Sequence, residues 1–129
     1  MKSMATLTEK APSEVLLVED EAVVALDLQF MLEDLGMEVW GPCATVRAGL
    51  DLVRERLPGA AILDVMLADG EVYELADHLH KAGVPLLFHS GHAEANQLRE
   101  RYPGAAVCPK PALPSEIEAK LANWFIPSE

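Results

Sequence analysis

Basic residues are scarce in this chain: 10 Lys and Arg stand against 21 Asp and Glu, leaving a formal net charge of -11. Phosphate backbones are held chiefly by clustered Lys and Arg, so this balance argues against direct nucleic-acid contact and for a protein, a metal ion or a phosphate donor as partner. Cysteine is sparse too. Cys43 and Cys108 stand far apart, with no Cys-x-x-Cys spacing. Neither a zinc knuckle nor a disulfide framework is suggested, and both read as reduced core thiols. Met1 to Ser13 lack the apolar run of a secretion signal or membrane span. The expectation is therefore a cytoplasmic protein without membrane insertion. Internal repeats and low-complexity stretches are also missing.

What is present suits one core. The 129 residues are 50% hydrophobic and 24% charged, an ordinary globular composition at a length that fits a single domain. Residues 1–13 read as a flexible leader, 14–126 as the packed domain and 127–129 as a frayed C-terminus, which leaves no room for an attached output domain. Within the domain, short apolar runs alternate with segments of helical periodicity. The runs are Val15 to Val18, Met37 to Trp40, Ala60 to Val65, Val84 to Phe88 and Ala105 to Cys108. Their near-continuous hydrophobicity suits strands buried on both faces, and the alternation predicts an α/β, doubly wound parallel sheet with right-handed crossovers.

Five helices are expected between and after these runs. Val24, Leu28, Met31, Leu32 and Leu35 recur at steps of three and four before Gly36, marking one apolar face and a stop. Thr45 is placed to cap the next helix, with Ala48, Leu52 and Val53 facing inward. The third carries Val72, Leu75, Ala76 and Leu79 and ends at Gly83. Around Ala93 to Arg101 the apolar stripe thins to Leu98, which predicts a short helix. For the last, Ser115 and Glu118 form a capping box ahead of Ile117, Leu121, Trp124 and Phe125.

In such sheets, ligands gather beyond the carboxyl ends of the strands, near the point where strand order reverses. Glu19 and Asp20 follow the first strand, Asp64 lies near the end of the third, Ser90 follows the fourth and Lys110 the fifth, so all five converge at one edge. Three carboxylates in one crevice repel one another unless a cation offsets their charge, and oxygen-only ligands select Mg²⁺. Beside that ion a carboxylate can attack phosphorus and form an acyl phosphate, and Asp64 is the best candidate. Lys110 would balance the transferred charge, while the Ser90 hydroxyl could donate to a phosphoryl oxygen. Each feature alone has a bland reading: Asp20 as a helix cap, Asp64 as a turn former, Lys110-Pro111 as a loop exit. Their co-location decides between the two.

Val18-Glu19-Asp20, Ile62-Leu63-Asp64-Val65, Ser90-Gly91 and Lys110-Pro111, in this order and at these intervals, resemble the receiver (response-regulator) family of two-component signalling. The resemblance covers about Val15 to Phe125. It implies a flavodoxin-like (βα)5 fold of strand order 2-1-3-4-5. It further implies Asp64 as phosphoacceptor, Ser90 as switch hydroxyl and Lys110 as phosphate contact. Asp20 and Asp64 become Mg²⁺ ligands, together with Glu19 acting largely through water and the Met66 backbone carbonyl. A cis Lys110-Pro111 bond is implied as well. The partners implied are a histidine kinase or phosphotransfer protein and an unidentified downstream protein. Glu19 replaces the commoner Asp, and Val107 stands where many receivers carry a switching Tyr or Phe. Phe88-His89-Ser90-Gly91-His92, with no aromatic at 107, is similar to the subgroup called FATGUY, often single domains.

The expected role is a phosphorylation switch that catalyses only its own aspartyl phosphorylation and dephosphorylation. A phosphate sink or relay, or a degenerate receiver fixed in one state, fits the same residues. An aspartyl phosphatase would need a second Asp at Ala22, and a flavin carrier would need a phosphate cradle where Glu19-Asp20-Glu21 repels phosphate. His89 and His92 flank the site as residues that tune access rather than as ligands. His78 and His80 are expected to be solvated, and Trp40 and Trp124 to be core or interface residues.

Overall fold

Val15, Leu16, Leu17 and Val18 are completely buried, as an unbroken apolar run must be when helices cover both sides of the strand it forms. The computed structural model describes residues 14–91 and 94–125, with side chains through residue 122. The expected leader, the frayed end, His92, and the Trp124 and Phe125 side chains lie outside the described residues. The elements are β1 (Glu14–Val18), α1 (Ala22–Asp34), β2 (Glu38–Cys43), α2 (Val46–Val53), β3 (Ala60–Asp64), β4 (Met66–Leu67), β5 (Gly70–Glu71), α3 (Tyr73–Lys81), β6 (Leu86–Ser90), α4 (Ala95–Arg101), β7 (Ala106–Pro109) and α5 (Pro114–Phe125). Five strands form one sheet in the order β2-β1-β3-β6-β7, with every pairing parallel. Numbered among themselves, they run 2-1-3-4-5, the flavodoxin-like order.

Strand alternation divides the core in two. Leu16, Val18, Ala61, Leu63, Phe88 and Val107 pack with Val46 and Val53 of α2, Leu75 and Leu79 of α3, and Leu98 of α4. Val15, Leu17, Ile62, Leu87 and Cys108 pack with Leu28 and Leu32 of α1 and Ile117 and Leu121 of α5. Each such fully buried Leu, Ile or Val contributes about 1.5–3 kcal/mol, so the two layers together hold the strand ends in register.

Several expectations shift. β2 runs past Trp40 to Cys43 through Gly41, whose φ of +103° and approach to Cys43 N and Leu17 O leave no space for a Cβ. β6 begins at Leu86, not Val84, and includes Ser90, while β7 is displaced to Ala106–Pro109. The short antiparallel pair β4·β5 has no counterpart in the periodicity, being two residues per strand. On α1 the buried residues are Ala25, Leu28 and Leu32, while Leu35 is exposed. Thr45 does cap α2, accepting from Ala48 N–H at 3.0 Å. Its buried face, however, is Val46, Gly49 and Val53, with Leu52 exposed, because Leu75 of α3 presses to 2.6 Å of where a Gly49 Cβ would sit. At α5 the expected Ser115–Glu118 capping box gives way to a cap two residues earlier, with only the glutamate half of the box. Leu113 N–H donates to Glu116 Oε1 at 2.9 Å, and Pro114 takes the first helical position, where its missing N–H costs nothing. His80 is half-buried edge-on against Tyr102, at 5.4 Å between rings, rather than solvated. Cys43, Cys108 and Trp40 are buried as expected.

Candidate functional site

The carboxyl ends of β1, β3, β6 and β7 open into a cleft of about 410 Å³ lined by Asp20, Glu21, Asp64, Val65, Met66, Ser90, Gly91, Glu94 and Lys110. Backbone bonds fix its walls. Glu19 N–H donates to the Cys43 carbonyl at 2.8 Å, and Lys110 N–H to the Ser90 carbonyl at 2.6 Å, so the sheet pairing extends into the residues that carry the charges. Lys110-Pro111 is cis. Outside the cleft, Asp69 accepts from Val46 N–H at 2.8 Å and Arg47 N–H at 3.2 Å. It thereby ties the turn between β4 and β5 to the N-terminus of α2 across a gap in sequence.

Glu19, Asp20 and Asp64 each offer a carboxylate oxygen, all within 4.8 Å of one another. Lys110 Nζ reaches into the group, donating to Asp64 Oδ2 at 2.9 Å, Glu21 Oε1 at 3.1 Å and Glu19 Oε2 at 3.4 Å. Burial pushes the Asp64 carboxyl up to about 6, and the Glu19 charge adds to this against the Lys110 hydrogen bond. Burial acts to raise Glu19 as well, but the His89 ring, the Glu21 N–H and the Lys110 ammonium outweigh it and hold that carboxyl below its ordinary value. Lys110 is raised despite its burial, because its carboxylate partners favour the charged form. Three converging carboxylates offer an all-oxygen ligand set, which suits a hard divalent cation.

Ser90 is buried, and its hydroxyl donates to the Gly91 carbonyl at 3.2 Å. All five residues singled out in the sequence therefore meet at one cleft. Two participants were missed. Glu21 and Glu94 stand just before the helices that follow, where acids read as helix caps. His89, expected to flank the site and tune access, is 3% exposed, with Nδ1 3.6 Å from Glu19 Oε1. Val107 is buried beside Phe88. The aromatic that packs there is Tyr102, 5.2 Å from the Phe88 ring, with its hydroxyl donating to Asp77 at 2.7 Å.

Comparison with known proteins agrees with the fold. The family model "Response regulator receiver domain" matches residues 15–121. The phyllosphere-induced regulator PhyR of Methylorubrum extorquens is 31% identical over 114 residues, which are 86% of this chain and 43% of PhyR. A PhyR crystal structure from Brucella abortus superposes with a TM-score of 0.74 at 25% identity, covering 97% of this chain and 52% of that one. The non-phosphorylated receiver domain of HemR from Leptospira biflexa gives 0.78 at 25% identity, covering 90% and 96%. The chain thus spans about half the length of the PhyR proteins it matches.

Proposed function

Because the chain belongs to the response regulator receiver domain family, we propose that Asp64 accepts a phosphoryl group from a histidine kinase or phosphotransfer protein and that the change alters affinity for a downstream protein. The observation that supports this most is Asp64 itself: buried, yet lining an open cleft, with an ammonium 2.9 Å away. An Asp64 oxygen forms the new bond to phosphorus as the bond to the donor imidazole breaks, the electron pair leaving with the nitrogen. Glu19 (through water), Asp20, Asp64 and the Met66 carbonyl would hold Mg²⁺, which when bound offsets the charge that repels an incoming phosphoryl group. Lys110, already hydrogen-bonded to Asp64, supplies a second positive charge to the phosphoryl oxygens.

The Ser90 hydroxyl is the mobile part. Its partner among the described residues is the neighbouring Gly91 carbonyl, a bond it can exchange for a phosphoryl oxygen. That exchange draws the end of β6 inward and moves the start of α4 with it. For the donor, a surface lies next to the cleft. Val23, Leu26 and Phe30 of α1 are 75%, 48% and 54% exposed at helical spacing, and Leu113, at the start of α5, is 65% exposed. Such a stripe beside the acceptor suits an amphipathic helix that carries the phosphohistidine.

Backbone amide spectra with Mg²⁺ and beryllium fluoride, a mimic of the phosphoryl group, test the switch. Shifts are expected at Ser90, Gly91, Glu94 and Leu98 in the native chain and not in Asp64→Asn. Shifts of equal size in the variant would contradict the assignment.

A further inference from the structure

His89 is buried to 3% exposure, and neither of its ring nitrogens has a hydrogen-bond partner among the described residues. A histidine placed only to fill the core would have at least one nitrogen satisfied, because a buried, unpaired polar atom is costly. The one other buried side-chain atom in the same condition is Glu19 Oε1, and it lies 3.6 Å from His89 Nδ1. Each is the other's nearest complement. The second Glu19 oxygen is already engaged: Oε2 accepts from Glu21 N–H at 3.2 Å and from Lys110 Nζ at 3.4 Å. The Glu19 carboxylate thus has one oxygen turned to the acidic cluster and one turned back to the imidazole.

The strand register explains how the ring comes to be there. His89 is the parallel-pair neighbour of Asp64 on β3 and of Cys108 on β7, on the face of the sheet that Leu87 and Cys108 share with α1 and α5. The glutamate at position 19, one methylene longer than aspartate, brings its Oε1 to 3.6 Å from that ring.

We propose that His89 is a positioning residue, donating from Nδ1 to Glu19 Oε1 so that Oε2 stays presented to the cation held with Asp20 and Asp64. The proposal rests on the reading of Glu19 as part of a metal site. Residues that orient metal-binding carboxylates commonly change metal affinity 10–100-fold when removed.

The test is Mg²⁺ affinity by isothermal titration calorimetry on the full chain, in a two-by-two set: native, His89→Leu, Glu19→Gln and the double variant. His89→Leu is expected to weaken binding about tenfold. His89→Asn, whose amide nitrogen can stand near the place of Nδ1, is expected to restore it to within about threefold. In the Glu19→Gln background His89→Leu should change affinity little, since the effect passes through Glu19. Equal Mg²⁺ affinity in His89→Leu and the native chain, or the same loss in both backgrounds, overturns the proposal. Should His89→Leu fail to fold, nitrogen-15 spectra of the native imidazole decide. An Nδ1 proton that disappears in Glu19→Gln supports the contact, and an Nε2-protonated ring insensitive to that change refutes it. Asp20→Asn separates the two levels. If native protein and Asp20→Asn both fail to bind Mg²⁺, the metal site itself is wrong. If only Asp20→Asn fails while His89→Leu binds normally, the positioning role alone is wrong.

Discussion

Asp64 is held between opposing influences, and their balance can be measured. Burial and the Glu19 charge raise its carboxyl from 3.8 to about 6, although Lys110 donates to it. The folded state therefore keeps a proton that the unfolded chain has already lost between about pH 4 and 6. The Asp64 contribution to stability accordingly falls as pH rises through that window and stays unfavourable above it. Asp64→Asn is expected to remove this fall and to stabilise the metal-free protein at pH 7.5 by about 1–3 kcal/mol. Urea midpoints of both proteins across pH 4–8 check it. Glu19, Asp20, Asp64, Ser90 and Lys110 were legible in the sequence because each directly ends or follows a strand, so one sheet edge had to collect them. Glu21 and Glu94 were not, because an acid just before a helix looks the same whether it faces solvent or a cleft. The environment of His89 was hidden for another reason: its meaning depends on Glu19, which lies at the end of β1 on the other side of β3, a relation periodicity does not give.

Among the elements, β1, β3 and α3 follow their patterns, with Leu75, Ala76 and Leu79 of α3 buried as spaced. The departures arise where tertiary contact overrides local preference. Leu52 points outward because α3 comes close at Gly49, and α5 starts at Pro114 because Glu116 caps Leu113 from within the helix. Asp69 is the same kind of case. It caps α2 from a loop more than twenty residues downstream, accepting from Val46 and Arg47, a relation no local motif encodes. Asp69→Ala is expected to lower stability through loss of those two bonds. A lower urea midpoint with unchanged slope would show it; an unchanged midpoint would mean that Thr45, which already accepts from Ala48, suffices alone.

At the scale of the whole molecule, the proposed acceptor and the surface proposed for its donor are separable. The α1 stripe of Val23, Leu26 and Phe30 contributes no atom to the cleft lining. Phe30→Asp is therefore expected to slow phosphotransfer from a phosphohistidine protein by about tenfold or more, equivalent to ~1.4 kcal/mol, while labelling by a small phosphodonor is unchanged. Rapid-quench transfer assays with both donors compare the two rates. The doubly wound fold itself was readable because alternating apolar runs and helical spacing admit few other topologies. The partners were not, since an exposed apolar stripe carries no name. The central claim is most directly tested by incubating the chain with Mg²⁺ and acetyl phosphate and locating any modification by peptide mass spectrometry after borohydride reduction. One reduced acyl-phosphate site, at Asp64 and lost in Asp64→Asn, is the result expected. Modification elsewhere, or none in a chain that remains folded, would contradict it.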